Sequence, residues 1–304
     1  MIKYISFCFA FFISYLNVYA QVYSQLQLND LEIRLEQEKG ISRINTLLEL
    51  SEGYYEFNLN SAITYAKEAA ILSEKYSYDW GYYKSLYCGA KSAKENTSIY
   101  KIKPILKSCV HWFKHNDYGR DAFYANLVYI ECVRQTEKKE NAQNLTLENF
   151  NEAKRLQDDQ LLAKAWYGAA RHLLGQIDEY YTHALDSAKY YYYETGDSSN
   201  IVLTEMLRYK AGTNQSFEAY YEAYERANSW ENRKLKSQVA RYLANGYASI
   251  SYEDSARHYI DVVLNETENY GSSKVLGTTY NQLGYCYWSL NDTTKVLEAF
   301  LIAD

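Results

Sequence analysis

The chain has 304 residues, enough for one large domain, two ordinary ones or one array of repeats. Hydrophobic residues are 47% and charged residues 23%, the balance of a folded soluble protein. A formal charge of −6, with no basic block of five or more residues, argues against nucleic acid as the main partner, because phosphate binding needs clustered Lys and Arg. Proline occurs once, at Pro104, and glycine is sparse, so long helices meet few breakers.

Residues 1–20 have the pattern of a secretory signal peptide. Lys3 supplies the positive start, Ile5 to Leu16 an apolar run, and Val18-Tyr19-Ala20 the small residues of a cleavage site before Gln21. The run is short of the roughly 20 residues a membrane-spanning helix needs. The expectation is cleavage after residue 20 and export to the periplasm or cell envelope. Cys8 lies within the apolar run and lacks the small-residue setting of a lipoprotein site. Cys88, Cys109, Cys132 and Cys286 remain in the mature chain. Export permits disulfides among them; small buried helix residues is the other reading. Their spacing matches no zinc or thioredoxin motif.

Residues 21–40 read as an N-terminal linker and the start of a first helix. Beyond them apolar residues recur at helical spacing. Seven helix pairs can be phased, starting near Ile44, Trp80, Asp121, Ala163, Ile201, Ser237 and Gly277. The first pairs Leu47–Tyr55 with Asn60–Tyr76, which carries Ala62-x-x-x-Ala66-x-x-Ala69, with Asn60 or Ser61 as its cap. The second pairs Trp80–Ala93 with Pro104–Phe113, placing Pro104 in a first turn where its missing N–H costs little. The third pairs Asp121–Gln135 with Thr146–Leu156. The fourth has Trp166-x-x-Ala169-Ala170-x-x-Leu173, then Ala184-x-x-x-Ala188-x-x-Tyr191. The fifth, the weakest, has Leu203–Lys210 and Tyr220-x-x-x-Tyr224-x-x-Ala227. The sixth has Leu243-Ala244-x-x-Tyr247, then Ala256-x-x-x-Ile260-x-x-Val263. The seventh has Leu283-Gly284-x-x-Tyr287, then Val296-x-x-x-Phe300-x-x-Ala303.

This last stretch resembles a tetratricopeptide repeat, a helix-turn-helix unit written W-x2-L-G-x2-Y…A-x3-F. Gly284 lets two helices approach, Tyr287 and Phe300 fill the space between them, and one unit alone cannot bury its apolar face. The resemblance covers residues 41–304. It implies an all-α, tetratricopeptide-type, right-handed superhelical solenoid of about seven helix pairs, with the last repeat incomplete. The mean interval of about 39 residues exceeds the standard 34, and the proline that usually closes each unit is missing. The first unit looks like the exported repeat arms of bacterial regulatory and sensor proteins, including those of Bacteroidetes type. That likeness implies an array joined to a membrane helix and a cytoplasmic signalling domain. The final helix stops at Asp304 with nothing to cover its outward face, so the chain is expected to continue.

No catalytic motif stands out: there is no nucleophile elbow and no phosphate-binding glycine loop. His111 and His115 are spaced i, i+4, but no third metal ligand accompanies them. No cofactor and no enzyme activity are expected. Tyrosine is abundant, 35 residues. In a run such as Tyr190 to Tyr193 successive side chains point about 100° apart, so they cannot all face a core. In the standard repeat the first helix of each unit lines a concave groove. By register this places Tyr129, Tyr167, Arg171, Tyr209, Arg241, Asn245, Asn281 and Tyr285 there. Arg241 and Asn245, with Gln282 of the next unit, partly resemble a clamp that holds peptide C-termini; its further basic residues would lie beyond Asp304. The expected partner is a protein or peptide in the groove, with membrane contact only through a downstream helix. Alternatives are a stand-alone periplasmic adaptor and a glycan-binding protein associated with the outer membrane.

Overall fold

The computed structural model describes residues 25–55, 58–94, 97–173, 179–208, 214–229, 233–270 and 273–303. Within them lie fifteen α-helices and no strand. Helix α1 is Gln25–Gln37. Seven pairs follow: α2 (Gly40–Tyr54) with α3 (Leu59–Lys75), α4 (Asp79–Ala93) with α5 (Ile99–His115), α6 (Gly119–Thr136) with α7 (Lys139–Leu156), and α8 (Asp159–His172) with α9 (Glu179–Glu194). The last three are α10 (Ser198–Arg208) with α11 (Asn214–Ser229), α12 (Arg233–Ser249) with α13 (Glu253–Tyr270), and α14 (Ser273–Ser289) with α15 (Thr293–Ala303). Each helix packs mainly on its neighbours in sequence, the hallmark of a solenoid.

Small residues make the close helix contacts. Ala62, Ala66 and Ala69 of α3 are buried, as are Ala184 and Ala188 of α9 and Ala256, Ile260 and Val263 of α13. In α14, Leu283 is buried, and a Cβ on Gly284 would fall 2.7 Å from Cε1 of Phe300. The tyrosine run of α9 divides as helical geometry requires: Tyr192 is buried, Tyr190 and Tyr193 are exposed.

The unit length is set by turns. Ser77, Asp117, Gln157 and Gly196 each adopt positive φ, between 51° and 70°, at the junction between one pair and the next. They stand 40, 40 and 39 residues apart. At three of these turns the following N–H reaches back five residues: Tyr78 to the Ser73 carbonyl, Tyr118 to Phe113 and Asp197 to Tyr192, at 2.8–2.9 Å. This closes the helix ends in Schellman fashion, usually the task of glycine. It does here what proline does in the standard unit. Ser251 and Asn291 repeat the geometry within the sixth and seventh pairs, again 40 residues apart. The change of phase falls at the fifth pair, whose α10 has 11 residues.

Three aspartates tie units together while capping helices. Asp158 accepts from the backbone N–H groups of Gln160 and Leu161 and pairs with Arg120. Asp197 accepts from the Asn200 N–H and lies 3.8 Å from Lys164. Asp292 accepts from the Lys295 N–H and pairs with Arg257 at 3.0 Å. Each carboxylate satisfies an orphan helix donor and a cation from the preceding unit.

Several sequence expectations need correction. The stretch read as a linker and the start of a first helix, residues 21–40, is helical over Gln25–Gln37, because Leu28 and Leu31 bury against Leu50 and Glu32 accepts from the hydroxyls of Tyr54 and Tyr65. The cap of α3 is Asn58, whose side chain accepts from the N–H groups of Asn60 and Ser61. Pro104 sits in the second turn of α5, which begins at Ile99 so that Ile102 can bury. Helix α7 starts at Lys139, seven residues before the expected Thr146. Cys88, Cys109, Cys132 and Cys286 are buried thiols that form no disulfide with one another. The signal-peptide stretch, residues 1–20, lies outside the described residues. Among the described residues no helix is long and apolar enough to cross a membrane.

Two substitutions test the register of the last unit. Gly284→Leu should lower the unfolding free energy by roughly 1–3 kcal/mol, since the added side chain must displace the Phe300 ring. Leu283→Ala should cost about 2–5 kcal/mol. Unchanged urea midpoints for both would place these residues outside the packed seam.

Candidate functional site

The side chains of the first helices and their neighbours enclose a chamber of about 560 Å³. Helices α6, α7, α8, α10 and α12 supply most of its wall; Tyr55 and Lys94, just past the ends of α2 and α4, and Tyr192 of α9 also reach it. Its size suits a small ligand or a few residues of a peptide.

The wall has two characters. Leu127, Leu203, Met206 and Leu207 form an apolar side from α6 and α10. Lys164, Arg171 and His172 of α8 and Gln238, Arg241 and Tyr242 of α12 form a polar side, with Glu131 of α6. Counting Lys94, four permanent cations face one carboxylate in the lining. The chamber is therefore electropositive in a chain whose net charge is −6.

Glu131 organises this side. Its carboxylate lies 3.2 Å from Arg171 and 3.4 Å from Nε2 of His172, across the α6–α8 contact, and pairs with Arg134 one turn on at 3.1 Å. Burial alone would raise its pKa. The His172 hydrogen bond and the charges of Arg171, His172 and Arg134 outweigh burial and bring it down to about 2. Lys164, partly buried, is pushed down by desolvation and held up in part by Asp197. Burial likewise holds Arg241 below the ordinary arginine value. Two arginines lie beside tyrosine faces, Arg171 at 5.8 Å from the Tyr167 ring centre and Arg241 at 6.0 Å from that of Tyr242.

Of the residues the register assigned to the groove, Tyr167, Arg171 and Arg241 line the chamber together. Tyr129 packs instead beside Ile130, Val133 and Ala142. Asn245 accepts from the Cys286 thiol at 2.7 Å, a contact between the sixth and seventh units. Asn281 is exposed, and Gln282 keeps its Oε1 buried without a hydrogen-bond partner. Tyr285 is exposed with its edge toward Phe300, 5.6 Å away. These last four do not line the chamber, whereas Arg241 does. Tyr209 lies outside the described residues. His111 and His115 hold their rings 5.9 Å apart on an exposed face of α5. Among the described residues no group of three His, Cys, Asp or Glu side chains is placed to hold a metal.

Sequence reasoning missed Glu131, Lys164, His172, Tyr192 and the apolar wall of α10. A signal existed for some. Lys164, Tyr167 and Arg171 follow one helical face at i, i+3 and i+7, and so do Gln238 and Arg241 at i, i+3.

The architecture and the chamber define a tetratricopeptide-type helical-repeat protein, built as a superhelix around a concave site. No family model matches the sequence, and no curated protein matches it. Among solved structures the chain is similar to a Rap protein complexed with competence and sporulation factor. That match has a TM-score of 0.61 and 14% identity and covers 91% of this chain and 77% of the other. At such identity the likeness is one of fold.

The ion pairs around Glu131 give a pH test. A carboxyl lowered from 4.5 to about 2 stabilises the fold above the unfolded pKa, and that contribution is lost as pH falls through the folded one. The stability difference between the protein and Glu131→Gln should be largest above pH 4.5, of order 1–3 kcal/mol, and should shrink toward pH 2. A difference that stays flat through this window in urea melts would contradict the arrangement.

Proposed function

We propose that this chain is an exported, non-enzymatic scaffold that binds a protein or peptide in its concave chamber. Its wider role is the extracytoplasmic arm of a bacterial signal-transduction regulator. The observation that carries binding is the chamber itself: an electropositive, half-apolar space walled by four first helices, α6, α8, α10 and α12, and by α7. Such a surface offers large tyrosine faces and cations that several repeats hold in register. The similar Rap structure is likewise a complex, with competence and sporulation factor. Export rests on the charge, apolar run and cleavage pattern of residues 1–20. In this reading a ligand touches units far apart in sequence and biases the small neighbour-to-neighbour rotations that set the curvature.

Panning a random dodecapeptide display library against the purified chain tests the binding reading. Enriched peptides should bind the protein and lose at least about tenfold in affinity to Gln238→Trp, whose indole fills the chamber, while the melting temperature stays within a few degrees. Failure to enrich any peptide, or binding indifferent to Gln238→Trp, would contradict it. Fusion of residues 1–30 to alkaline phosphatase should give an enzyme active in the bacterial periplasm. An inactive, cytoplasmic fusion would remove the export part alone.

A further inference from the structure

A second cavity, of about 490 Å³, opens near the start of the array and shares no lining residue with the chamber. Glu49 and Glu52 of α2 and Lys84 of α4 line it, together with three aromatic rings, Tyr78, Trp80 and Tyr118. The rings are held in place by their neighbours. Trp80 donates its indole N–H to Asp121 at 2.9 Å. Tyr118 stacks on Trp112 at 5.5 Å, and Trp112 on Tyr83 at 4.5 Å. Trp80 is 5.8 Å from Tyr78 and 6.4 Å from Tyr118, inclined to them by 45° and 47°, so the three rings form an angled wall and not a flat stack. Tyr78 and Tyr118 each follow a left-handed turn residue, the position at which Asp158 and Asp292 cap a helix. Neither tyrosine makes a cap hydrogen bond there.

Charge sets what such a wall can hold. Lys84 is taken up by Glu52 at 2.8 Å, by Asp121 at 3.0 Å and by the Tyr87 ring at 5.3 Å. Glu49 lies 3.7 Å from Arg34, which Glu38 shares at 3.4 Å. Four carboxylates therefore divide two cations. The next cations along, Lys91 and Arg120, lie over the Tyr55 ring and against Asp158. Aromatic faces attract a cation through their quadrupole, and the surplus carboxylate charge adds to that attraction. Hydrogen bonding decides which cation. Both oxygens of Asp121 and one of Glu52 already accept from Trp80 and Lys84. A primary ammonium brings three donors and a guanidinium five, each needing an acceptor once withdrawn from water; a quaternary ammonium brings none. We propose that this cavity binds a quaternary ammonium group, its methyl groups against Tyr78, Trp80 and Tyr118 and its charge balanced by Glu49 and Glu52. Two sources share this chemistry. One is a small free solute that carries a trimethylammonium group, the other the trimethylammonium headgroup of a lipid.

Isothermal titration of the full chain tests this with choline and three controls. The controls are 3,3-dimethylbutan-1-ol, which has the shape of choline with carbon in place of the charged nitrogen, ethanolamine, a primary ammonium, and cellobiose. Choline should bind at least about tenfold tighter than the alcohol or ethanolamine. Tyr118→Leu keeps apolar bulk and removes a ring; Glu49→Gln removes a charge. In each, choline should lose about threefold or more in affinity relative to the alcohol. The Glu49 side chain is 46% exposed, so Glu49→Gln keeps the test open should Tyr118→Leu fail to fold. Gln238→Trp, which fills the chamber, should leave choline binding unchanged, so this site and the chamber stand or fall separately. Sedimentation with phosphatidylcholine but not phosphatidylglycerol vesicles identifies a lipid headgroup, and choline binding without sedimentation identifies a free solute. The proposal is overturned if choline binds no tighter than the alcohol or ethanolamine, or shows no binding at about 50 mM. Cellobiose bound in place of choline, affinity unchanged in both Tyr118→Leu and Glu49→Gln, or choline binding lost in Gln238→Trp would overturn it as well.

Discussion

The rest of the structure depends on how closely one helix can approach the next. A helix pair buries its apolar face only if alanine, glycine or serine stands where the two backbones converge. The repeated burial of Ala62, Ala66 and Ala69, of Ala184 and Ala188, and of Ala240, Ala244 and Ala248 shows that constraint met unit after unit. Left-handed turns at Ser77, Asp117, Gln157 and Gly196 then fix where each pair ends and in which direction the next begins. Four of five such non-glycine turn residues are Ser, Asp or Asn, short polar side chains; Gln157 is the exception. Close seams and periodic turns together set a curvature, and curvature creates the chamber.

Much of this was legible in the amino-acid order. Small and aromatic residues at helical spacing located seven pairs, with first-helix starts correct to within four residues. What escaped had a physical reason. The turns use residues that also serve many other purposes, so Ser77 or Gln157 carries no signal comparable to a proline. Asn58 caps α3 rather than Asn60 because the cap must precede the donors it satisfies. Helix α1 is short and has little hydrophobic asymmetry of its own, and only contact with Leu50, Tyr54 and Tyr65 makes sense of it.

The site was less legible than the fold. Helical register identifies which residues share a face, and it rightly grouped Tyr167 with Arg171. It cannot say how far the superhelix turns before two units face each other. That depends on every seam between them, so the meeting of α8 with α12 was not readable, and neither was the use of Tyr192 from a second helix. Asn245 shows the converse: its register points inward, but the Cys286 thiol of the next unit takes up its acceptor. Electrostatics completes the separation. Glu131 and Asp197 stand beside two cations of the chamber, Arg171 and Lys164, through contacts that cross from one unit to the next.

The central claim is that partners are held inside the superhelix, at the chamber. Site-specific photo-cross-linking tests it directly. A benzophenone amino acid replaces either Tyr242, in the chamber wall, or Tyr193, 74% exposed on α9 and outside it. Irradiation with a bound peptide should give cross-linked product from position 242 and little from position 193. Efficient cross-linking from 193 with none from 242 would place the partner on the outer surface and contradict the account.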